Sequence, residues 1–271
     1  MSALCTMAAF LFTLTFTACD DDDDDDGGSS SNAESGSTTA KYYISEFNAP
    51  GTSMGNVVFT YDSDGNLTKI VEYDDETGLE DDTYSITYDP MAVTISEDGE
   101  VYCTMSNIGV NSNGYITGYT LTYYYDDADC TVTCTYSGTH LSMLVEENDY
   151  GVEKEMLTWD DDLLIGYAYS YSDYDGESDS GVWTYIYEDY KYENKMKQYT
   201  YGTWDLDPSE THLIMYLAWT GFFGEGSSYL PDEIDEEGER GSYVCGFNDD
   251  GTVAYESEEL RDYDVYTFSY Y

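Results

Sequence analysis

The chain has 271 residues, of which 57 are acidic and 8 are basic, so its formal net charge at pH 7 is -49. A charge of this sign and size repels phosphate backbones, and the only basic cluster, Lys191, Lys195 and Lys197, lies among acidic residues. The composition therefore excludes nucleic acid as a partner. It also excludes a general electrostatic attraction to an anionic membrane surface.

Residues 1–18 have the pattern of a bacterial lipoprotein signal peptide. The segment from Leu4 to Ala18 is apolar or small, and it comes directly before Cys19. It is shorter than the roughly 20 residues that a helix needs to span a bilayer. The pattern predicts cleavage before Cys19 and attachment of lipid to that cysteine.

An acidic run follows the cysteine without interruption: Asp20, Asp21, Asp22, Asp23, Asp24, Asp25 and Asp26. Residues 27–40 are rich in Gly, Ser, Asn and Thr, so residues 19–40 are predicted to be the lipid anchor and an extended, flexible tether. Here the chain resembles the surface lipoproteins of Bacteroides-type bacteria, in which such a run acts as an export signal. The resemblance implies a lipid-anchored protein exposed on the outer face of the outer membrane.

Residues 41–271 are predicted to form a single antiparallel β domain. The chain has 32 tyrosines and 4 prolines, a composition that suits strands with one face in water. Tight turns separate alternating runs most clearly at 62–65 and 248–251, and more weakly at Asp98-Gly99 and Asn113-Gly114. The apolar segment 213–219 fits either a short helix or a buried strand.

Consecutive hairpins form a meander, and a long meander must curl or close to protect its edges. We therefore expect an all-β fold in which an antiparallel meander forms a strongly curved sheet or an incomplete β-barrel. The aromatic end of segment 265–271 raises a membrane-spanning barrel as the alternative. The Thr and Ser residues that recur on the strand faces argue against a lipid-facing band.

Two family resemblances rest on these motifs. The pattern Tyr-Asp-x-x-Gly-Asn-Leu-Thr-x-Ile at 61–70 resembles one unit of the tyrosine-aspartate repeats of secreted bacterial proteins. Together with the lipidated cysteine and the segments 221–224 and 230–231, it also resembles a Bacteroidales surface lipoprotein family of unknown function. That resemblance implies a porin-like β fold and carries over no catalytic residues.

Four cysteines lie in the β domain: Cys103, Cys130, Cys134 and Cys245. Cys130 and Cys134 share one face of a strand but are ~13 Å apart, which is too far for a direct bridge. A disulfide, if one forms, is expected to join Cys103 to one of this pair across neighbouring strands. Four buried, reduced thiols are the alternative, and the spacings do not match a zinc site.

A calcium site is a weaker hypothesis for the first hairpin. Asp62, Asp64 and Asn66 offer oxygen ligands at alternate positions beside a glycine. The closing glutamate of a full calcium loop is missing, so a plain turn is the preferred interpretation. We expect no cofactor, apart from calcium associated diffusely with the acidic surface.

One cluster of aromatic residues is a candidate binding site: Trp204, Trp219, Phe222, Phe223 and Tyr229. Exposed rings on a rigid sheet bind sugars or peptides in many surface proteins, and nearby carboxylates then bind hydroxyls. The competing interpretation is a core capped by a glycine-rich loop. A binding role predicts that these rings are exposed.

No motif specifies a reaction. The nucleophile pattern Gly-x-Ser-x-Gly is missing, and the 57 acidic residues would place carboxylates in pairs by chance. We therefore expect a non-catalytic protein that binds an extracellular glycan, a peptide or an envelope partner. The alternatives are an extracellular hydrolase with a carboxylate pair and a purely structural component of the envelope.

Overall fold

The computed structural model describes residues 43–49, 55–74, 77–97, 99–124, 129–200, 203, 212–259 and 265–271, all of which belong to one compact unit. The predicted signal peptide, Cys19, the acidic run from Asp20 to Asp26 and the tether all lie outside the described residues. No helix in the described residues is long and apolar enough to cross a membrane.

Sixteen antiparallel strands form one closed barrel. Its first half consists of β1 (Ile44–Ala49), β2 (Gly55–Tyr61), β3 (Leu67–Tyr73), β4 (Glu80–Thr87), β5 (Ala92–Glu97), β6 (Glu100–Val110), β7 (Ile116–Tyr123) and β8 (Asp129–Ser137). The second half consists of β9 (His140–Glu147), β10 (Gly151–Asp160), β11 (Leu163–Asp173), β12 (Ser178–Ile186), β15 (Glu233–Glu236), β16 (Glu239–Phe247), β17 (Val253–Glu258) and β18 (Val265–Tyr270).

The prediction of an all-β antiparallel meander is confirmed, and the four hairpins lie where the turns predict them. The barrel is closed rather than incomplete, because the first strand pairs with the last. Phe47 of β1 lies opposite Phe268 of β18 on one side and opposite Val57 of β2 on the other. Closure leaves no unpaired edge in the barrel strands, which removes a route to aggregation.

The strands alternate between the interior and the outer face. In β8, Cys130, Val132 and Cys134 are buried, whereas the threonines between them are exposed. This period of two is the strand pattern that the sequence predicts. It directs the large apolar side chains into the barrel and the hydroxyl side chains to its outside.

The chain segment between β12 and β15 (residues 187–232) is called the inner segment here, because its described residues 198–200 and 213–223 are buried and fill the interior. It contains the short strands β13 (Tyr192–Glu193) and β14 (Tyr229–Leu230), which pair with each other, and the helix α1 (Leu213–Trp219). All seven residues of α1 are buried. A helix that is apolar on all sides must be surrounded by other elements, and here the barrel wall surrounds it.

Trp219 at the end of α1 joins the helix to the barrel wall. Its ring lies 4.5 Å from that of Phe47 and 5.6 Å from that of Phe268, measured between ring centroids. It also contacts Tyr216 of the same helix. Because these contacts link α1 to the strands that close the barrel, filling and closure depend on the same side chains.

The four cysteines are buried thiols without disulfides. Cys103 of β6 and Cys130 of β8 both face the interior, but β7 lies between them, with Tyr123 opposite Cys103 and Leu121 opposite Cys130. The pairing expected if a disulfide formed is therefore wrong, because these strands are not neighbours, and the alternative of buried, reduced thiols describes the four cysteines. Burial raises the pKa of Cys103 to about 12, which keeps this thiol protonated and unreactive.

Replacing Trp219 with alanine should lower the free energy of unfolding by about 3–5 kcal/mol, because the change leaves a cavity between α1 and the closing strands. Urea denaturation followed by tryptophan fluorescence measures this loss. Tyr150→Ala is the matched control, since that aromatic residue is 63% exposed. If the two variants unfold at the same urea concentration, Trp219 does not stabilise the contact between α1 and the closing strands as described.

Candidate functional site

A cavity of about 450 Å³ lies at the end of the barrel where the first hairpin turns. We call it the tyrosine pocket, and its lining residues are Tyr43, Tyr61, Asp62, Ser63, Asp64, Gly65 and Tyr271. The turn between β2 and β3 forms one side of it. The residue before β1 and the residue after β18 form the other, so barrel closure brings the pocket together.

The three tyrosine rings contact one another edge to face. Tyr61 is the central ring, with centroids 5.4 Å from Tyr43 and 5.8 Å from Tyr271. The backbone N–H of Tyr271 donates to the carbonyl of Tyr43, and the hydroxyl of Tyr271 donates to the carbonyl of Phe59 at 2.8 Å. Tyr43 is nevertheless 46% exposed and Tyr271 is 75% exposed, so both rings are fixed in position and accessible to a ligand.

Asp62 organises the turn. One of its carboxylate oxygens accepts hydrogen bonds from the backbone N–H groups of Asp64 and Asn66, and the other accepts one from the side-chain amide of Asn66. These hydrogen bonds, led by the side-chain bond from Asn66, lower the pKa of Asp62. The pocket therefore carries a fixed negative charge at neutral pH.

Gly65 is required by both the turn and the ring beside it. Its φ is +83°, a conformation that other residues adopt only with strain. A Cβ atom at this position would also lie 2.6 Å from the hydroxyl oxygen of Tyr43. The glycine of the hairpin motif thus allows Tyr43 to lie directly on the turn.

The weak calcium prediction concerned Asp62, Asp64 and Asn66. The carboxylate of Asp62 already accepts three hydrogen bonds, and the amide of Asn66 donates to it. Among the described residues, no group of three His, Cys, Asp or Glu side chains is placed to hold a metal ion. The geometry of these three residues is that of the plain turn.

The predicted aromatic binding cluster is largely part of the core. Trp219, Phe222 and Phe223 are fully buried, and Tyr229 is half-buried with its ring edge-on to Tyr190. A binding role required exposed rings, so the competing interpretation of a core describes the first three, which the inner segment carries into the barrel. Trp204 lies outside the described residues.

A polar clamp ties the inner segment to the barrel rim. His140 of β9 contacts the carbonyl of Glu225 at 2.9 Å and the carboxylate of Asp162 at 3.1 Å, and its ring stacks on Trp159 at 4.2 Å. Lys197 of the inner segment forms ion pairs with Asp162 at 2.8 Å and with Glu225 at 3.3 Å. The histidine and the lysine therefore hold the two parts of the fold together.

Carboxylates also face the interior. Glu72 of β3 is only 6% exposed and accepts hydrogen bonds from the hydroxyls of Tyr84 and Tyr216, and its oxygen lies 3.6 Å from a ring nitrogen of His212. Nearby, burial and then the charge of Glu72 raise the pKa of Asp82 to about 7. One oxygen of Asp82 is buried without a hydrogen-bond partner among the described residues.

Glu72 and Asp82 are the pair to consider for the alternative of a hydrolase. Such an enzyme needs two carboxylates that face an open cleft. Glu72 is nearly inaccessible and is held by two tyrosines, and neither residue lines the tyrosine pocket. Their geometry fits a buried polar network that ties α1 to the wall, since Tyr216 belongs to the helix.

A second cavity, of about 420 Å³, lies on the outer face of β10, β11 and β12. Its lining includes four serines, Ser170, Ser172, Ser178 and Ser180, together with Lys154. Register pairs Lys154 with Ser170, and Ser170 with Ser180, so these side chains share the outer face. The small serine side chains account for this depression in the sheet.

Asp82→Asn should make the protein more stable, and the gain should increase with pH. Because the pKa of Asp82 is raised in the folded state, ionisation disfavours folding as pH rises from about 4 to about 7. Since Asp82 is partly exposed, the gain should increase by only about 1 kcal/mol between about pH 5 and about pH 8. Urea denaturation at several pH values measures it.

Asp175→Asn is the control for this experiment, because it also removes one negative charge but lies in an exposed turn between β11 and β12. It accounts for the general relief of charge repulsion. A gain for Asp82→Asn that matches the control at every pH would contradict the interior environment described for Asp82.

No family model matches the sequence, and no curated protein matches it. Among the crystal structures with a similar fold are two that are described as porin-like proteins. The protein from Bacteroides uniformis has a TM-score of 0.63 and 14% sequence identity, and the alignment covers 86% of this chain and 98% of that chain. The protein from Bacteroides vulgatus has a TM-score of 0.57 and 12% identity, with 85% and 99% covered. The chain therefore shares the fold of porin-like proteins along most of its length.

Proposed function

We propose that this protein is a lipid-anchored, non-catalytic binding protein displayed on a bacterial outer membrane, and that its barrel is a solid scaffold rather than a channel. The single observation that carries the proposal is the filled interior. The fully buried helix α1 occupies the space that would have to hold water in a channel.

The outer face of the barrel supports the same view. Ser85, Thr94, Thr104, Thr122 and Asp129 follow one another across β4 to β8 as cross-strand neighbours. A barrel embedded in a bilayer has an uninterrupted apolar band on its outside, and hydroxyl groups in hydrocarbon cost free energy when they lack partners. This row of hydroxyl groups suits a barrel surrounded by water.

The proposed location rests on the amino-terminal sequence together with the fold. Cys19 follows a segment typical of lipoprotein signal peptides, and the acidic run Asp20 to Asp26 follows the cysteine. The similar structures come from Bacteroides, the kind of bacterium in which such a run is expected to direct surface export. A barrel held by the lipid on Cys19 and by the tether would then lie outside the cell.

The proposed binding role rests on the tyrosine pocket. It combines accessible aromatic rings with a rigid turn, as ligand sites of surface proteins do. This pocket replaces the predicted aromatic cluster as the candidate site, since Trp219, Phe222 and Phe223 are buried in the core. A purely structural envelope component remains the second candidate, and it predicts that the pocket binds no ligand.

The anchor is tested by growing cells that express the protein with radioactive palmitate. The native chain should be labelled, and Cys19→Ala should lose the label, because only the cysteine after the cleavage site receives lipid. Cys245→Ala is the control and should keep the label, since that thiol is buried in the barrel. Treatment of intact cells with a protease should then remove the labelled protein from the surface.

Unchanged labelling of Cys19→Ala would contradict the lipid anchor. Labelled protein that resists protease in intact cells but not in lysed cells would contradict surface display and leave the anchor in place. The two parts of the proposal are therefore tested separately.

A further inference from the structure

The tyrosine pocket has a charge that restricts what it can bind. Among the described residues, its lining includes the carboxylates of Asp62 and Asp64 and no Lys, Arg or His side chain. Lys69 of β3 forms an ion pair with Glu80, which is not part of the lining. Two negative charges thus lie beside three tyrosine rings, and no described residue of the lining supplies a positive partner.

The two carboxylates differ in the number of hydrogen bonds that they accept within the protein. Asp62 is held by the turn through three hydrogen bonds. The side chain of Asp64 has no hydrogen bond or ion pair with any described residue, and the residue is exposed at the pocket. A ligand can therefore pair with Asp64 without breaking an existing interaction, while Asp62 provides a fixed charge next to it.

The tyrosine rings also favour a cationic ligand. The face of a tyrosine ring attracts a cation, and the attraction strengthens where the cation is partly removed from water. Tyr43 and Tyr271 both keep accessible ring surface, and their positions are fixed by contacts with Tyr61. Carboxylates beside aromatic faces favour a ligand that has a positive head and an apolar stem.

The net charge of the whole protein acts in the same direction. With a formal charge of -49, the chain raises the local concentration of cations and repels anions. A neutral sugar would gain nothing from this field. It would also find few donors for its hydroxyl oxygens among two carboxylates and one serine.

We propose that the tyrosine pocket binds a primary alkylammonium group, supplied either by a lysine side chain of a partner protein or by a free diamine. The ammonium donates hydrogen bonds to Asp64 and lies beside Asp62, and the alkyl stem contacts the rings of Tyr43 and Tyr271. This inference rests on the proposed binding role, and it names both the site and the class of ligand.

Isothermal titration calorimetry with the mature chain without its lipid (residues 20–271) tests the proposal. The probes are 1,5-diaminopentane and the capped peptide Gly-Lys-Gly, at about 150 mM NaCl so that diffuse attraction is screened. One saturable site should appear, and Asp64→Asn should weaken binding about tenfold, as expected for loss of a charge-assisted hydrogen bond. Asp175→Asn, which removes an exposed charge elsewhere, should leave the affinity unchanged.

The outcomes separate the possible ligands. Binding of the peptide alone indicates a protein partner, and binding of the diamine with equal or greater affinity indicates a free small molecule; both support the proposal. Equal weakening by Asp64→Asn and Asp175→Asn would show diffuse attraction and overturn it.

Absence of binding by both probes, or binding of maltotriose in place of them, would also overturn the proposal. A second variant, Tyr271→Leu, should weaken binding while Tyr150→Leu does not, which tests the rings independently of the charge. Circular dichroism confirms that each variant is folded. Palmitate labelling and protease treatment do not depend on the pocket. A negative result in the calorimetry would therefore overturn the ligand proposal but not the proposals of a lipid anchor and of surface display.

Discussion

The structure depends on filling a barrel that is too wide for its own side chains. A barrel of about eight strands can be packed by the side chains that point inward, whereas sixteen leave room for an aqueous channel. Here the sixteen strands close around α1, whose seven residues are all buried. Trp219 contacts the strands at the closure, so one set of apolar contacts fixes both the filling and the ring of strands.

Filling the interior reverses the usual arrangement of a pore. Apolar side chains such as Phe47 and Val132 face inward, and hydroxyl side chains such as Thr104 face outward. The similarity to porin-like structures is a similarity of fold, and the chemistry of the two faces carries the functional argument. Among the polar groups that enter the core, Glu72 is held by two tyrosines, whereas one oxygen of Asp82 is buried without a hydrogen-bond partner among the described residues.

The sequence predicts the local parts of this fold well. Alternation places Cys130 and Cys134 on the buried face of β8, and Asp-Gly turns place the hairpins at Gly65 and Gly251. Barrel closure and the burial of the inner segment depend on contacts between residues far apart in the sequence. The alternation of buried and exposed residues along a strand does not predict such contacts. Burial of Trp219 was therefore left as one of two interpretations, and the disulfide considered for Cys103 required a neighbour that lies two strands away. The tyrosine pocket was missed for the same reason, since Tyr43 and Tyr271 come together only when β1 pairs with β18.

The most direct test of the filled barrel is to purify the mature chain without its lipid (residues 20–271) in buffer without detergent and to add it to planar lipid bilayers. The account predicts a monomer that remains in solution and produces no conductance steps, because the outer face is polar and the interior is packed. Precipitation without detergent, together with stepwise conductance after insertion from detergent, would contradict it.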